Sequence, residues 1–316
     1  TPRHLARELQ SALQGCDHMP FSLARDDMKP ADAGLIYVEC SGRGWTRKPY
    51  GNGFTYQDAE GNTLTGEARE RAEALVLPPA WTDVWICEKP DGHLQATGVD
   101  EAGRTQYRYH PDWRLHCEQV KFSDMKSFGE ALPRLRKRVR EVLDNPQDHA
   151  ELATAAIVRI LDKGALRIGS ERYAETGAFG ASTLYKRHVR QTGDDTVRLK
   201  FKGKGGKQQE ISICDASLVA AVSELQCLKG QSLFNTPDGH VGSTQVNRFI
   251  QRVADGSFTA KDFRTWGGSV AAIKALRKGA DSIKAVSEAA ADHLGNTPTI
   301  ARNSYIHPRV IEMARD

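Results

Sequence analysis

The sequence contains no run approaching the ~18 consecutive apolar residues of a membrane span. Its first thirty residues, with Glu8, Asp17, Asp26 and Asp27 scattered through them, lack the apolar core of a signal peptide. A membrane protein is thereby excluded, and the cytoplasm is the expected compartment. The six cysteines include no C-x-x-C pair, which leaves neither a zinc site nor a disulfide framework to build on. Also absent are a Walker A loop, a G-x-S-x-G elbow, an H-E-x-x-H helix and a dinucleotide fingerprint after a strand. Most cofactor-dependent chemistries lose support on that ground. The four methionines form no stripe, and there is neither an internal repeat nor a low-complexity tract.

A chain of 316 residues suggests two domains or one large one. Its composition, 39% hydrophobic and 27% charged, is that of a folded globular protein. The net charge of +4 conceals an asymmetry: residues 1–118 hold 13 Lys and Arg against 18 Asp and Glu, and residues 119–316 hold 31 against 22. A basic C-terminal region of that size points to a polyanionic partner.

The organisation follows the same division. Residues 1–30 read as a polar, partly helical lead-in. Leu35-Ile36-Tyr37-Val38 opens a series of short β-type runs separated by turn signals, among them the Gly-rich stretch 42–53, with a helical insertion over 67–75 and a strand over 83–87. From Leu132 the periodicity becomes helical, so a hinge is expected between about residues 115 and 130, giving domains 1–118 and 119–316. One β-hairpin interrupts the helices, with strands over 196–201 and 208–213 around GKGGK (203–207). Beyond it, Thr259-x-x-Asp262 is a capping box, Gly295 ends a helix, and Thr297-Pro298 is the N-cap and first position of a short helix carrying Tyr305.

The residues available for chemistry are cations beside glycines or helix starts, together with a late tyrosine. Arg167 lies in KGALRIGSERY (163–173), Lys204 at the hairpin tip, and Arg264 in KDFRTWGG (261–268), in the first turns of a helix. Taken singly, each reads as a solvated cation, Tyr305 as a half-buried packing residue, and Asn296 as a turn residue.

In order and local context, however, these residues resemble the active site of type IB DNA topoisomerases, in particular the small poxvirus-like enzymes of bacteria. That family places an Arg after a helix end, a Lys at a hairpin tip, an Arg within K-x-x-R-T, a His in G-H-T-P-x-I, and then the nucleophilic Tyr. Arg167, Lys204, Lys261 to Arg264-Thr265, Asn296 in GNTPTI (295–300) and Tyr305 occupy those positions here. PPAWTDVWIC (78–87), GHLQATG (92–98) and GRTQYRYH (103–110) look like the family's DNA-gripping domain.

The resemblance implies an α+β protein, with a small β-rich N-terminal domain and a larger, mainly α-helical catalytic domain containing a β-hairpin, closing as a C-shaped clamp on duplex DNA. It implies a monomer that relaxes supercoils through a 3′-phosphotyrosyl intermediate, without nucleotide, metal or other cofactor. Arg167 and Arg264 would clamp the phosphate, Lys204 would be the general acid, Lys261 an assistant and Asn296 a transition-state donor in place of the family His. Candidate DNA contacts are Arg104, Gln106, Tyr107, Arg108, Tyr109 and Tyr173, with Arg43, Arg47 and Lys48 from the Gly-rich stretch. Ser170 stands where the poxvirus enzymes carry a sequence-reading Lys.

The chemistry is consistent with these assignments. Attack on a phosphodiester needs an oxyanion in line, donors around the nonbridging oxygens and a proton for the leaving oxygen. Two rival readings share the residues. One is a tyrosine recombinase, against which Lys261 counts, since recombinases generally have His there. The other is a noncatalytic DNA-binding protein in which the cations only neutralise phosphate.

Overall fold

The computed structural model describes residues 28–314, so nearly all of the expected N-terminal lead-in lies outside the described residues. The described residues divide into two compact units, 28–121 and 122–314. Among them no helix is long and apolar enough to cross a membrane.

The smaller unit is built on a five-stranded antiparallel sheet. Its elements are β1 (Trp45–Tyr50), β2 (Gly53–Gln57), helix α1 (Gly66–Ala74), β3 (Thr82–Ile86), β4 (Leu94–Val99) and β5 (Thr105–Tyr109), in the sheet order β2-β1-β3-β4-β5. Two sequence expectations change here. The Gly-rich stretch is not one loop, because Trp45–Tyr50 is a strand paired to β2 across a turn at Gly51, whose φ of 55° suits glycine. The run at Leu35–Val38 is not a strand, since Ile36 makes a single parallel bridge to Gly92. The core of this unit is Tyr56, Leu64, Ala72, Leu77, Val84, Ile86 and Ala96.

Helix α2 (Pro111–Asp144) runs straight through the expected hinge and across the division between the units. Its first turns carry no buried residue before Phe122, so they show no apolar stripe from which a helix could be read. From Phe122 onward the buried Phe122, Met125, Phe128 and Leu132 do follow helical spacing, so the pattern begins before the expected start at Leu132.

In the larger unit, α3 (His149–Gly164) is the central helix, with Leu152, Ala156, Ile157, Ile160 and Leu161 at most 1% exposed. Asp148 caps its start by accepting from the Glu151 N–H at 2.7 Å. Ala165 ends it in the left-handed conformation, φ 46°. There follow α4 (Glu171–Glu175), the antiparallel sheet β6 (Val189–Thr192), β7 (Thr196–Lys202) and β8 (Gln208–Cys214), α5 (Ala216–Cys227), the two-residue strands β9 (Asn235–Thr236) and β10 (Gly239–His240), α6 (Ser243–Ala254), α7 (Ala260–Arg277), α8 (Ile283–Leu294), α9 (Pro298–Tyr305) and α10 (Pro308–Met313). The expected hairpin is present, with Lys202 opposite Gln208 at its end. So is the α7 capping box, in which the Asp262 carboxylate accepts from the Thr259 N–H at 2.8 Å. Close contacts force glycine at several places: a Cβ on Gly129 would lie 2.5 Å from the Trp266 ring, and one on Gly268 would lie 2.8 Å from the Tyr305 carbonyl oxygen.

Candidate active site

Arg167 follows the left-handed end of α3 and is fixed through its backbone. Its carbonyl accepts from the Ala181 N–H at 2.8 Å, and a Cβ on Gly180 would come within 2.6 Å of that same oxygen. The side chain then reaches across to the loop after α8, where Nη2 donates to Asn296 Oδ1 at 2.8 Å. A guanidinium has only donors, so this bond settles the orientation of the Asn296 amide. Asn296 Nδ2 is left buried with no hydrogen-bond partner.

Arg264 is 3% exposed. Nη1 donates to the Ala165 carbonyl and Nη2 to the Leu294 carbonyl, the latter at 3.1 Å. Those two oxygens end α3 and α8, so the cation is held by the negative ends of two helices. Its Nε remains buried and unpaired. Burial, and then the nearby Arg167 charge, lower its pKa, while Tyr305 acts in the opposite sense.

Tyr305 ends α9 with its ring centroid 4.9 Å from the Arg264 guanidinium carbon. Its backbone is pinned by Ser269, whose hydroxyl donates to the Tyr305 carbonyl at 3.2 Å and accepts from the His307 N–H at 2.9 Å. Burial opposes ionisation of the phenol. The charge and hydrogen-bonding reach of Arg264, with the charges of Arg167 and Lys261, outweigh it and bring the pKa below that of an ordinary phenol.

The structure thus gathers Arg167, Arg264, Asn296 and Tyr305, with Lys261 exposed one helical turn before Arg264 and close enough to act on the phenol. It does not bring Lys204 into that cluster. Lys204 is exposed at the β7–β8 tip, in a turn where Gly205 and Gly206 adopt φ 72° and 74°. The stem of the hairpin does reach the cluster, because Gln209 lies against Gly295. The sequence reading missed that contact and the Ser269 bridge, since nothing local in the sequence marks either.

The other candidates are carried by other elements. Tyr173, on α4, is 57% exposed. Arg43 pairs with Glu60 and Glu88, and Lys48 is exposed on β1. Arg47 is not available to phosphate: it is 8% exposed and donates to the carbonyls of Leu77, Pro78 and Trp81 at 3.1, 2.9 and 2.7 Å. On the edge strand β5, Tyr107 and Tyr109 stack with centroids 6.1 Å apart and remain 52% and 38% exposed. Arg108 lines an open groove of about 520 Å³ with Arg71, His110 and Arg114. Arg104 and Gln106 both bond the Asp100 carboxylate, at 2.9 Å each, and the Arg104 side chain leads in holding its pKa down at about 2.

Residues 111–305 match the family described as the catalytic core of eukaryotic DNA topoisomerase I, and residues 53–100 match the N-terminal domain of bacterial DNA topoisomerase IB. The DNA topoisomerase 1B of Acanthamoeba polyphaga mimivirus is 29% identical over 290 residues, covering 84% of this chain and 86% of that protein. Among solved structures, the XerH site-specific recombinase in its post-cleavage complex with a palindromic difH substrate gives a TM-score of 0.40 at 14% identity, over 56% of this chain and 49% of that one. The pre-cleavage complex gives 0.37 at 16%, over 58% and 52%. The chain spans about half the length of these recombinases, and likenesses at such scores carry no functional argument.

Proposed function

Since the chain belongs to the DNA topoisomerase I family, of type IB, through matches over residues 111–305 and 53–100, we propose that Tyr305 is the nucleophile of an isomerase that relaxes supercoiled DNA by transient single-strand cleavage, and that its neighbours form the phosphate site. The observation that carries the proposal is a pair of buried donors that make no hydrogen bond, Arg264 Nε beside the Tyr305 ring and Asn296 Nδ2 beside Arg167, whose charge also acts on the phenol. Buried donors normally find acceptors. A phosphodiester oxygen supplies one here.

Tyr305, as the phenolate favoured by Arg264, attacks the scissile phosphorus. The Tyr305 O–P bond forms, the P–O5′ bond breaks, and Lys204 gives a proton to the departing oxygen to leave a 5′-hydroxyl. Arg167, Arg264 and Asn296 stabilise the charge on the nonbridging oxygens, while Lys261 adds positive potential. The free 5′ end rotates, and the reverse reaction reseals the strand. The bond energy is kept in the phosphotyrosine, so neither ATP nor a metal is required.

We assign catalysis to residues 119–316 and the holding of duplex DNA to residues 1–118, through Tyr107, Tyr109 and Arg108 with help from Lys48 and Arg43, and to Tyr173 on the catalytic side. Arg104 and Gln106 would reach DNA only by leaving Asp100. The working form is a monomer acting at the nucleoid. The test is plasmid relaxation in excess chelator without nucleotide. Relaxation by the wild type and none by Tyr305→Phe is expected, whereas persistent supercoiling by folded wild-type protein would contradict the proposal.

A further inference from the structure

We infer that Gln209 is a positioning residue that holds the hairpin stem on the Asn296 loop and so sets the point from which Lys204 delivers its proton. This rests on the proton-donor reading of Lys204 given above. The inward row of β8 is Gln209, Ile211 and Ile213. The two isoleucines dock on the end of α3, where a Cβ on Gly164 would lie 3.6 and 3.7 Å from them. An amide at the end of an apolar row is out of pattern for a strand packed on a core.

The reason for it lies across the gap. A Cβ on Gly295 would lie 2.3 Å from Gln209 Oε1 and 2.9 Å from Nε2, so the Gln209 amide occupies the space that any other residue would fill there. Gly295 is the left-handed end of α8, φ 61°, and the residue before Asn296. The same side chain also touches the other end of the problem, since a Cβ on Gly203 would lie 3.1 Å from Gln209 Cγ. Gly203 is the residue before Lys204. Gln209 therefore spans the neighbours of the proposed proton donor and of the proposed phosphate donor.

Beyond this point the hairpin ends in a glycine turn. The tip closes on itself, with the Gly203 N–H donating to the Lys207 carbonyl at 2.8 Å and the Gly206 N–H to the Gly203 carbonyl at 3.1 Å, and Gly205 and Gly206 both turn it at positive φ. A glycine tip on a stem seated against Gly295 gives Lys204 a short arc centred on the Gln209 contact. Without the Gln209 contact, that arc loses its centre.

A merely structural residue and a residue that places the acid are separated by the leaving group. In a duplex whose scissile 5′ oxygen is replaced by sulfur, Tyr305 attack breaks a P–S bond, and the thiolate departs without a proton because a thiol is far more acidic than an alcohol. Single-turnover adduct formation would be measured on paired 5′-oxygen and 5′-sulfur duplexes built around a site at which the wild type is trapped. Gln209→Ala is expected to be slowed about tenfold or more on oxygen and to stay within about twofold of wild type on sulfur, as Lys204→Ala should. Gln209→Asn, one methylene shorter, should show the same selectivity with a smaller defect. Equal slowing on both duplexes, or none on oxygen, overturns the positioning role while leaving the nucleophile intact. No adduct from the wild type overturns the catalytic reading itself, and this inference with it.

Discussion

Asn296 offers a sharp test, because Arg167 fixes which way its amide faces. Arg167 Nη2 holds Oδ1 at 2.8 Å and leaves Nδ2 buried and unpaired. Asn296→Ala removes that donor. Loss of one oriented donor to an oxyanion costs about 10²-fold in rate, or ~3 kcal/mol. Asn296→Asp keeps an acceptor for Arg167, and so keeps the local structure, but exchanges the donor for a negative charge. Two like charges about 4 Å apart cost ~4 kcal/mol at an effective dielectric of about 20, and pairing with Arg167 offsets part of this. The near-isosteric aspartate is therefore expected to be slower than alanine by about tenfold or more. The assay is single-turnover adduct formation on an end-labelled duplex, with binding measured separately by gel shift. An aspartate variant as fast as the alanine variant would rule out a donor role for Asn296 Nδ2, since the unpaired N–H would then have no acceptor in the reaction.

Lys261 is exposed, so Lys261→Ala should leave the fold unchanged while removing one of the charges that lower the Tyr305 pKa. A higher phenol pKa means less phenolate at neutral pH, so adduct formation should slow there and recover as pH rises. A defect of constant size across the pH range would contradict this. His307 is 6% exposed and caps α10 through Nδ1, and burial pushes its pKa down from 6.5 to about 4 against the pull of Glu312. The unfolded chain then binds the extra proton first, so stability is full above pH 6.5 and declines as pH falls toward 4, by on the order of 3 kcal/mol. His307→Asn, which keeps a capping oxygen and does not titrate, should flatten the urea-unfolding free energy over that range. An unchanged pH slope would refute the assignment.

What could be read from the sequence was what is decided locally. Gly295 at the end of α8, the Thr259–Asp262 box, the hairpin tip and the Thr297-Pro298 start of α9 each depend on residues within a few positions of one another. Their order placed four of the clustered side chains in a family before any distance was known. What could not be read depends on partners far along the chain. Arg47 looks like a surface cation until the carbonyls of Leu77, Pro78 and Trp81 close around it. Arg264 is legible as a cation, but its seat between the ends of α3 and α8 is a tertiary fact. The first turns of α2 were invisible because a helix with no buried face leaves no periodic trace.

In the proposed reaction the Tyr305 oxygen becomes bonded to a DNA 3′ phosphate. The most direct measurement is to denature the protein rapidly during reaction with a labelled duplex, digest the trapped complex, and identify the linked residue and DNA end by mass spectrometry. The expected product is a single adduct joining Tyr305 to a 3′ phosphate, with a 5′-hydroxyl on the other end of the break. Attachment to another residue or to a 5′ phosphate, or no adduct from folded, DNA-bound protein, would contradict it.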